Sequence, residues 1–198
     1  LSVLDFEHDD LEHHLSLAST LKRDRHLGRE ATTSAALQGT YIAILFEKPS
    51  LRTRSTFEIA IRELGGDFID PSADVALGTR ESLADVGRSL ERWVEGAIVR
   101  TFDQARIVDL AMATRKLRVI NALTNDEHPC QALADCLTLQ ERWGTLRGKR
   151  VAFVGDGNNV AKSFVQAEFS AIFRAVRRPA SDHSGKQATT PSSAARPG

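Results

Sequence analysis

Residues 40–58, TYIAILFEKPSLRTRSTFE, carry the clearest structural signal in the chain. The stretch up to Phe46 is nearly all apolar and rich in β-branched and aromatic side chains, as is typical of a strand buried in a parallel sheet. A polar turn containing Pro49 follows, and apolar side chains then recur at helical spacing over residues 53–64, up to Gly65. The stretch therefore predicts a buried strand, a tight turn and a helix.

The same alternation of strand and helix extends along most of the chain. Apolar spacing predicts further helices at 9–21, 81–94, 103–115 and 129–143, and further strands at 67–70, 97–99, 117–122 and 150–154. Strands separated by helices of about ten residues or more are typical of βαβ units. We therefore predict an α/β fold in which helices flank a parallel sheet.

The composition excludes several classes of protein. The 198 residues include 26 Lys+Arg and 26 Asp+Glu, for a formal net charge of 0, which argues against a nucleic-acid or membrane partner held by the overall field. The longest apolar run, 41–46, is far shorter than a membrane span. Cys130 and Cys136 provide no disulfide framework, so we expect a reducing, cytoplasmic location.

The turn after the first predicted strand is a candidate anion site. Ser50, Arg52, Thr53 and Arg54 lie where the next helix begins, and helix N-termini offer unpaired N–H groups and partial positive charge to phosphate. Hydroxyls add donors, and a guanidinium can bind two phosphate oxygens at once. From the residues alone, the alternative is that Ser50 caps the helix and the arginines are solvated.

A second candidate site lies in NDEHPCQALAD, residues 125–135. Pro129 suits the first turn of a helix, which leaves His128 in the loop at the carboxyl edge of the sheet, where ligands of open α/β folds bind. The His128 imidazole and the Gln131 amide can each hydrogen-bond a carbonyl or amide group. The alternative is a loop histidine that only caps the helix.

A third segment, VAFVGDGNNV at 151–160, resembles a dinucleotide-binding turn only in part. The fingerprint requires a third glycine at position 160, where this chain has Val, so NAD or FAD binding by an oxidoreductase is a weak alternative. Asn158 and Asn159 then remain as polar groups at the end of a predicted strand. No HExxH spacing occurs, and we expect neither a metal nor a cofactor.

In this order and spacing, SLRTRSTFE at 50–58 and HPCQALAD at 128–135 resemble the aspartate/ornithine carbamoyltransferase family, and GDGNN at 155–159 resembles its ornithine branch. The similarity covers about residues 1–163. It implies that the carbamoyl group of carbamoyl phosphate passes to the δ-amino group of L-ornithine, giving L-citrulline and phosphate in arginine metabolism. An aspartate-specific enzyme is the alternative within the family, against which the paired asparagines argue.

The resemblance also implies a role for each candidate residue. The expected phosphate ligands are Ser50, Leu51 through its backbone N–H, Arg52, Thr53 and Arg100. The groups expected to orient and polarise the carbamoyl carbonyl are Arg100, His128 and Gln131, which with Arg52 form the expected catalytic set. The expected ornithine contacts are Asn159 and Asn158. Family members are homotrimers, so an intact chain is expected to form one.

The chain departs from the family at single positions and in its extent. Leu51 replaces a usual Thr, Ala76 replaces a ligand-contacting Gln or His, and Arg80 replaces Lys or Asn. After Ser163 the similarity ends, and neither the DxxxSMG nor the HCLP segment that would contact ornithine is present.

These departures lead to expectations about domains and activity. We expect a carbamoyl-phosphate-binding domain at 1–143, the first βα unit of a truncated ornithine-binding domain at 144–177, and a disordered tail at 178–198. Weak or absent turnover follows, because positioning both substrates is most of this catalysis. The alternative is a remnant that binds carbamoyl phosphate without catalysis.

Overall fold

The computed structural model describes residues 1–72, 77 and 80–169, and its centre is a parallel sheet. The strands are β1 (Tyr41–Phe46), β2 (Asp67–Ile69), β3 (Gly96–Arg100) and β4 (Arg118–Leu123). They lie in the order β2-β1-β3-β4, and each neighbouring pair is parallel. The predicted α/β fold with a parallel sheet is confirmed.

Helices connect the strands and continue beyond the last one. They are α1 (His8–Asp24), α2 (Leu51–Glu63), α3 (Leu83–Leu90), α4 (Gln104–Met112), α5 (Pro129–Trp143) and α6 (Asn159–Phe169). Short 3₁₀ helices at Val3–Asp5 and Arg25–Glu30 flank α1. The helix predicted at 129–143 has the observed bounds of α5, whereas α3 and α4 are shorter than predicted.

Capping side chains account for the late starts of α3 and α4. The Ser82 hydroxyl accepts the Asp85 N–H at 3.1 Å, and the Asp103 carboxylate accepts the Ala105 N–H at 3.0 Å. Each capping residue keeps an extended backbone, so the helix begins one residue after it. The apolar spacing used for the prediction carries no information about such caps.

The sheet is buried on both faces, which explains the unbroken apolar run of β1. Ala43 and Leu45 pack towards α3 and α4, whereas Ile44 packs against Ile61 of α2. Side chains such as Ile44 and Leu45 are fully buried, and each stabilises the fold by about 1.5–3 kcal/mol relative to exposure. The two helical layers therefore hold the strand ends, and the loops that follow them, in fixed positions.

The segment after α5 differs from its prediction. The strand predicted at 150–154 was wrong: these residues have no strand assignment, and Phe153 and Val154 are 47% and 94% exposed. A parallel strand needs a neighbour for its backbone groups, and none of the strands that the structure describes pairs with this segment. Its helix, α6, does form, and Ala167 packs in one core cluster with Leu11 of α1 and Cys136 of α5.

Strand register places the candidate motifs at one edge of the sheet. Phe46 aligns with Arg100 and Arg100 with Leu123, so the loops after β1, β3 and β4 emerge side by side. Within the described ranges, no helix combines the length and apolar content needed to cross a membrane. Ala76 and the tail predicted at 178–198 lie outside the described residues.

Candidate functional site at the carboxyl edge of the sheet

The turn after β1 leads into the start of α2, where few polar groups have hydrogen-bond partners. Ser50 occupies the N-cap position, but its side chain makes no capping hydrogen bond, unlike Ser82 and Asp103. The first backbone N–H groups of any α-helix have no acceptor within the helix. No acidic residue lies in the first turn of α2, so the hydroxyl, these N–H groups and the exposed Arg52 form a cationic surface.

The side chains of Arg54 and Leu51, which belong to the same turn, do not contribute to this cationic surface. Arg54 is engaged by two carboxylates, since its Nε donates to Glu58 at 2.9 Å and its Nη2 pairs with Asp70. Its charge therefore stabilises α2 and the end of β2. Leu51 is 84% exposed, so the apolar side chain that replaces a usual Thr finds no cover within the described part of the chain.

Glu47 and Lys48, which the sequence analysis did not identify, connect the turn to the neighbouring loops through side-chain contacts. Glu47 accepts a hydrogen bond from Arg106 Nη1 at 2.6 Å and another from the Thr101 hydroxyl. Lys48 donates to the Asn125 side chain, and its ammonium lies 4.4 Å from the centre of the Phe102 ring. The sequence signal for these contacts is the position of two charged residues, Glu47 and Lys48, directly after the buried strand β1.

Arg100 and His128 bring two unsatisfied nitrogens to this edge. Within the described residues, Arg100 Nε and His128 Nδ1 are both buried and neither has a hydrogen-bond partner. Burial lowers the pKa of Arg100 and is also the main cause that lowers the pKa of His128. The Arg100 charge lowers the His128 pKa further, while the Asp135 charge raises it, so the imidazole lies within the electrostatic influence of both side chains.

Both burial and the Arg100 charge favour the neutral form of the His128 imidazole, since they lower its pKa from the ordinary value of 6.5. A neutral imidazole retains one N–H donor and one acceptor nitrogen. A buried polar nitrogen without a partner costs about 1–3 kcal/mol, so a polar ligand that formed hydrogen bonds with both nitrogens would be stabilised at this edge.

The His128 loop is shaped by its own side chains. The Thr124 hydroxyl accepts the N–H groups of Asp126 and Glu127 at 3.2 and 3.0 Å, which forms a tight turn directly before His128. The His128 carbonyl then accepts the Gln131 and Ala132 N–H groups at the start of α5. The structure thus places His128 at the N-cap of α5, as predicted, and its side chain makes no capping bond.

Gln131, Asn158 and Asn159 already have partners in this structure. The Gln131 amide donates to Asp135 at 2.9 Å, one turn along α5. The Asn158 side chain accepts the Val160 N–H at 3.0 Å and so caps α6. Asn159 donates its amide to the Thr124 carbonyl, which brings α6 to the same loop that carries His128.

Beneath this loop lies a buried polar cluster that the sequence did not reveal. Ser163 of α6 is fully buried, and its hydroxyl contacts both the Glu127 carboxylate and the His128 N–H, at 2.7 and 2.8 Å. Nearby, burial raises the pKa of the Cys130 thiol to about 11, so this cysteine is a neutral thiol rather than a nucleophile.

Other features of the described residues lie away from this edge or have different chemistry. A cavity of about 800 Å³ opens near the opposite edge of the sheet, between the 3₁₀ helix at Arg25–Glu30 and the end of α2. No group of three or more His, Cys, Asp or Glu side chains in the described ranges is arranged to hold a metal ion. The loops after β1, β3 and β4 therefore form the candidate site.

Residues 1–141 match the family model for the aspartate/ornithine carbamoyltransferase, carbamoyl-P binding domain. The chain belongs to the aspartate/ornithine carbamoyltransferase family. The predicted resemblance is thus confirmed, and the matched range ends near the C-terminus of α5.

Curated relatives within the family are ornithine carbamoyltransferases. The protein from Symbiobacterium thermophilum is 46% identical over 167 residues, which are 83% of this chain and 52% of that protein. The protein from Thermus thermophilus is 46% identical over 159 residues, 79% of this chain and 50% of that protein. The chain thus spans about half the length of these family members.

Solved structures of family members have the same fold. The ornithine carbamoyltransferase of Pyrococcus furiosus superposes with a TM-score of 0.81 at 37% identity, covering 87% of this chain and 54% of that one. An aspartate transcarbamoylase from Trypanosoma cruzi, in complex with N-(phosphonacetyl)-L-aspartic acid, superposes with a TM-score of 0.76 at 28% identity, covering 88% and 54%. The sequence identity is thus higher to the ornithine carbamoyltransferase than to the aspartate transcarbamoylase.

Proposed function

We propose that this chain binds carbamoyl phosphate at the carboxyl edge of β1, β3 and β4. The observation that carries the proposal is the pair of buried, unpartnered nitrogens on Arg100 and His128, next to the open N-terminus of α2. An anionic phosphate joined to a polar carbonyl satisfies both features at once. The match of residues 1–141 to a carbamoyl-phosphate-binding domain supports the same ligand.

In this proposal the phosphate group occupies the start of α2. The Ser50 and Thr53 hydroxyls, the Leu51 backbone N–H and the Arg52 guanidinium donate hydrogen bonds to its oxygens. Arg100 reaches both the phosphate and the carbamoyl carbonyl oxygen. The neutral His128 imidazole donates its single N–H to that oxygen, and Gln131 turns from Asp135 to hold the carbamoyl NH₂ group.

The complete reaction proposed for the family member is transfer of the carbamoyl group to L-ornithine. The neutral δ-amino group attacks the carbonyl carbon, a C–N bond forms, and negative charge develops on the carbonyl oxygen. Arg100 and His128 stabilise that charge because their donors are already in place. The C–O bond to phosphate then breaks, phosphate leaves, and the amine loses a proton, giving L-citrulline.

Ornithine binding is the least complete part of this proposal. Asn159 and Asn158 are the residues of the chain proposed to contact ornithine, and both side chains also serve α6 in this structure. The DxxxSMG and HCLP segments do not occur in the 198 residues. We therefore propose carbamoyl-phosphate binding for these residues, and citrulline formation for a protein that carries the ornithine-contacting segments as well.

The proposed organisation follows from the same reasoning. Residues 1–143 form the carbamoyl-phosphate-binding domain and 144–177 begin an ornithine-binding domain, which agrees with the end of the family match at 141. A cytoplasmic homotrimer acting in arginine biosynthesis is proposed for the full-length protein.

Calorimetric titration tests the proposed ligand. Phosphonoacetamide is a stable analogue of carbamoyl phosphate in which a methylene replaces the bridging oxygen. We expect it to bind at least about tenfold more tightly than inorganic phosphate, because only the analogue also satisfies Arg100 and His128. Equal affinities for phosphonoacetamide and inorganic phosphate would contradict the proposed site.

A further inference from the structure

The carboxylate of Glu127, the residue directly before His128, is buried and held by several partners. Glu127 is 5% exposed, and it forms a long ion pair of 3.8 Å with Lys162, whose side chain is half exposed. Its oxygens also accept hydrogen bonds from Ser163 at 2.7 Å, Gln166 at 2.7 Å and Ser2 at 3.3 Å. Because removing a carboxylate from water is costly unless it is well satisfied, these contacts fix Glu127 in one position beside His128.

Ser163 connects that carboxylate to the backbone of His128. Its hydroxyl donates to Glu127 and accepts the His128 N–H at 2.8 Å. Because the hydroxyl donates to Glu127 Oε2, its proton lies on the side of that carboxylate. The oxygen lone pairs of Ser163 are thereby directed at the His128 N–H.

His128 is consequently held from both sides of its backbone. Its N–H is bound by Ser163 of α6, and its carbonyl accepts two N–H groups of α5. Without the contact from α6, only the carbonyl side of this N-cap residue would be held. The imidazole that lies beside Arg100 thus depends on a helix that follows it by about 30 residues in the sequence.

We propose that Glu127 and Ser163 are positioning residues for His128, through which α6 determines recognition of the carbamoyl group. This inference rests on the proposed function and deepens it, because it assigns to α6 a role in the site for the first substrate. The hydrogen bonds and the ion pair that Glu127 and Ser163 form in the described part of the chain do not involve the phosphate turn at 50–53. Their loss should therefore reduce the preference for the carbamoyl analogue over inorganic phosphate and leave phosphate affinity unchanged.

The test measures that preference for the 198-residue chain and three variants. Ser163→Ala removes the acceptor of the His128 N–H, and we expect the ratio of phosphonoacetamide to phosphate affinity to fall about tenfold. Glu127→Gln keeps the size of the side chain but replaces one acceptor oxygen with an NH₂ donor, so the Ser163 hydroxyl is no longer fixed as a donor to residue 127, and we expect a fall of about threefold. Ala167→Gly is the matched control, because it weakens α6 in the core without touching His128.

Each outcome separates a positioning role from a structural one. A lower ratio in Ser163→Ala with unchanged phosphate affinity, together with a normal ratio in Ala167→Gly, supports the proposal. It is overturned if Ser163→Ala keeps the wild-type ratio, or if both variants reduce the two affinities in parallel. If Ser163→Ala fails to fold, the ratio for Glu127→Gln decides. A wild-type chain with no preference instead refutes the proposed function itself.

Discussion

The two halves of the proposed site are built in opposite ways. The phosphate half is a single turn at 50–53, open to solvent and contiguous in the sequence. The carbamoyl half joins Arg100 at the end of β3 to His128 after β4, and each contributes a buried nitrogen without a partner. Local helix geometry creates the first half, whereas only the packed sheet creates the second. We infer that the exposed half supplies general anion affinity and the buried half supplies selectivity.

Replacing Arg100 should produce the largest effect. In Arg100→Gln the guanidinium that contacts both halves is lost, and we expect affinity for phosphonoacetamide to fall on the order of 100-fold in calorimetry. Thermal stability should not fall, because the free protein loses a partly buried group whose Nε lacks a partner. Arg118→Gln is the control, since Arg118 forms an exposed ion pair with Glu95. A lower melting temperature with unchanged affinity would show that Arg100 is structural.

Replacing Arg52 should have a smaller effect that does not discriminate between ligands. Arg52 is exposed at the start of α2, and we expect Arg52→Gln to weaken phosphate and phosphonoacetamide equally, by about tenfold. Arg54→Gln provides the contrast within the same turn, because Arg54 already pairs with Glu58 and Asp70. It should lower the melting temperature and leave both affinities unchanged. If Arg52→Gln weakened only the analogue, the division into two halves would be wrong.

This contrast between the halves also describes what could be predicted from the sequence. The turn at 50–54 and the helix at 129–143 were predictable because their signals, apolar spacing and capping positions, lie within one stretch of sequence. The proximity of Arg100 and His128 follows in outline from parallel strands, whose carboxyl ends meet at one edge. That both nitrogens are buried without a partner requires the packed structure.

Contacts between distant segments were beyond sequence reasoning. The Glu127–Ser163 contact joins residues that only the packing of α6 on α5 brings together. The segment 150–154 is the opposite case, in which the sequence predicted a strand that the structure lacks. Its apolar residues have strand propensity, but no described strand pairs with them. Strand propensity depends on the residues of the segment, whereas a stable strand also requires a neighbouring strand to pair with. For the same reason, the partners of Gln131 and Asn159, which are Asp135 and the Thr124 carbonyl, could not be predicted from the sequence.

The smallest expected effect concerns the pH dependence of stability, and it tests the buried half directly. The folded pKa of His128 lies below its ordinary value of 6.5, mainly because of burial and then because of Arg100. The unfolded chain therefore binds the proton more readily, and stability that is fully present above pH 6.5 is lost as the pH falls through the folded pKa.

We expect His128→Asn to show a weaker decline in melting temperature between pH 6.5 and pH 5 than the wild type, by a few degrees at most. His26→Asn is the matched control, because this exposed histidine is hydrogen-bonded to the Arg23 carbonyl and lies in the 3₁₀ helix at Arg25–Glu30, away from the proposed site. Bound phosphonoacetamide should reduce the decline in the wild type only, because the ligand stabilises the folded protein and places an anion near the imidazole. An identical decline in the wild type and His128→Asn would mean that His128 is solvated, and selectivity would then have to come from Arg100 alone.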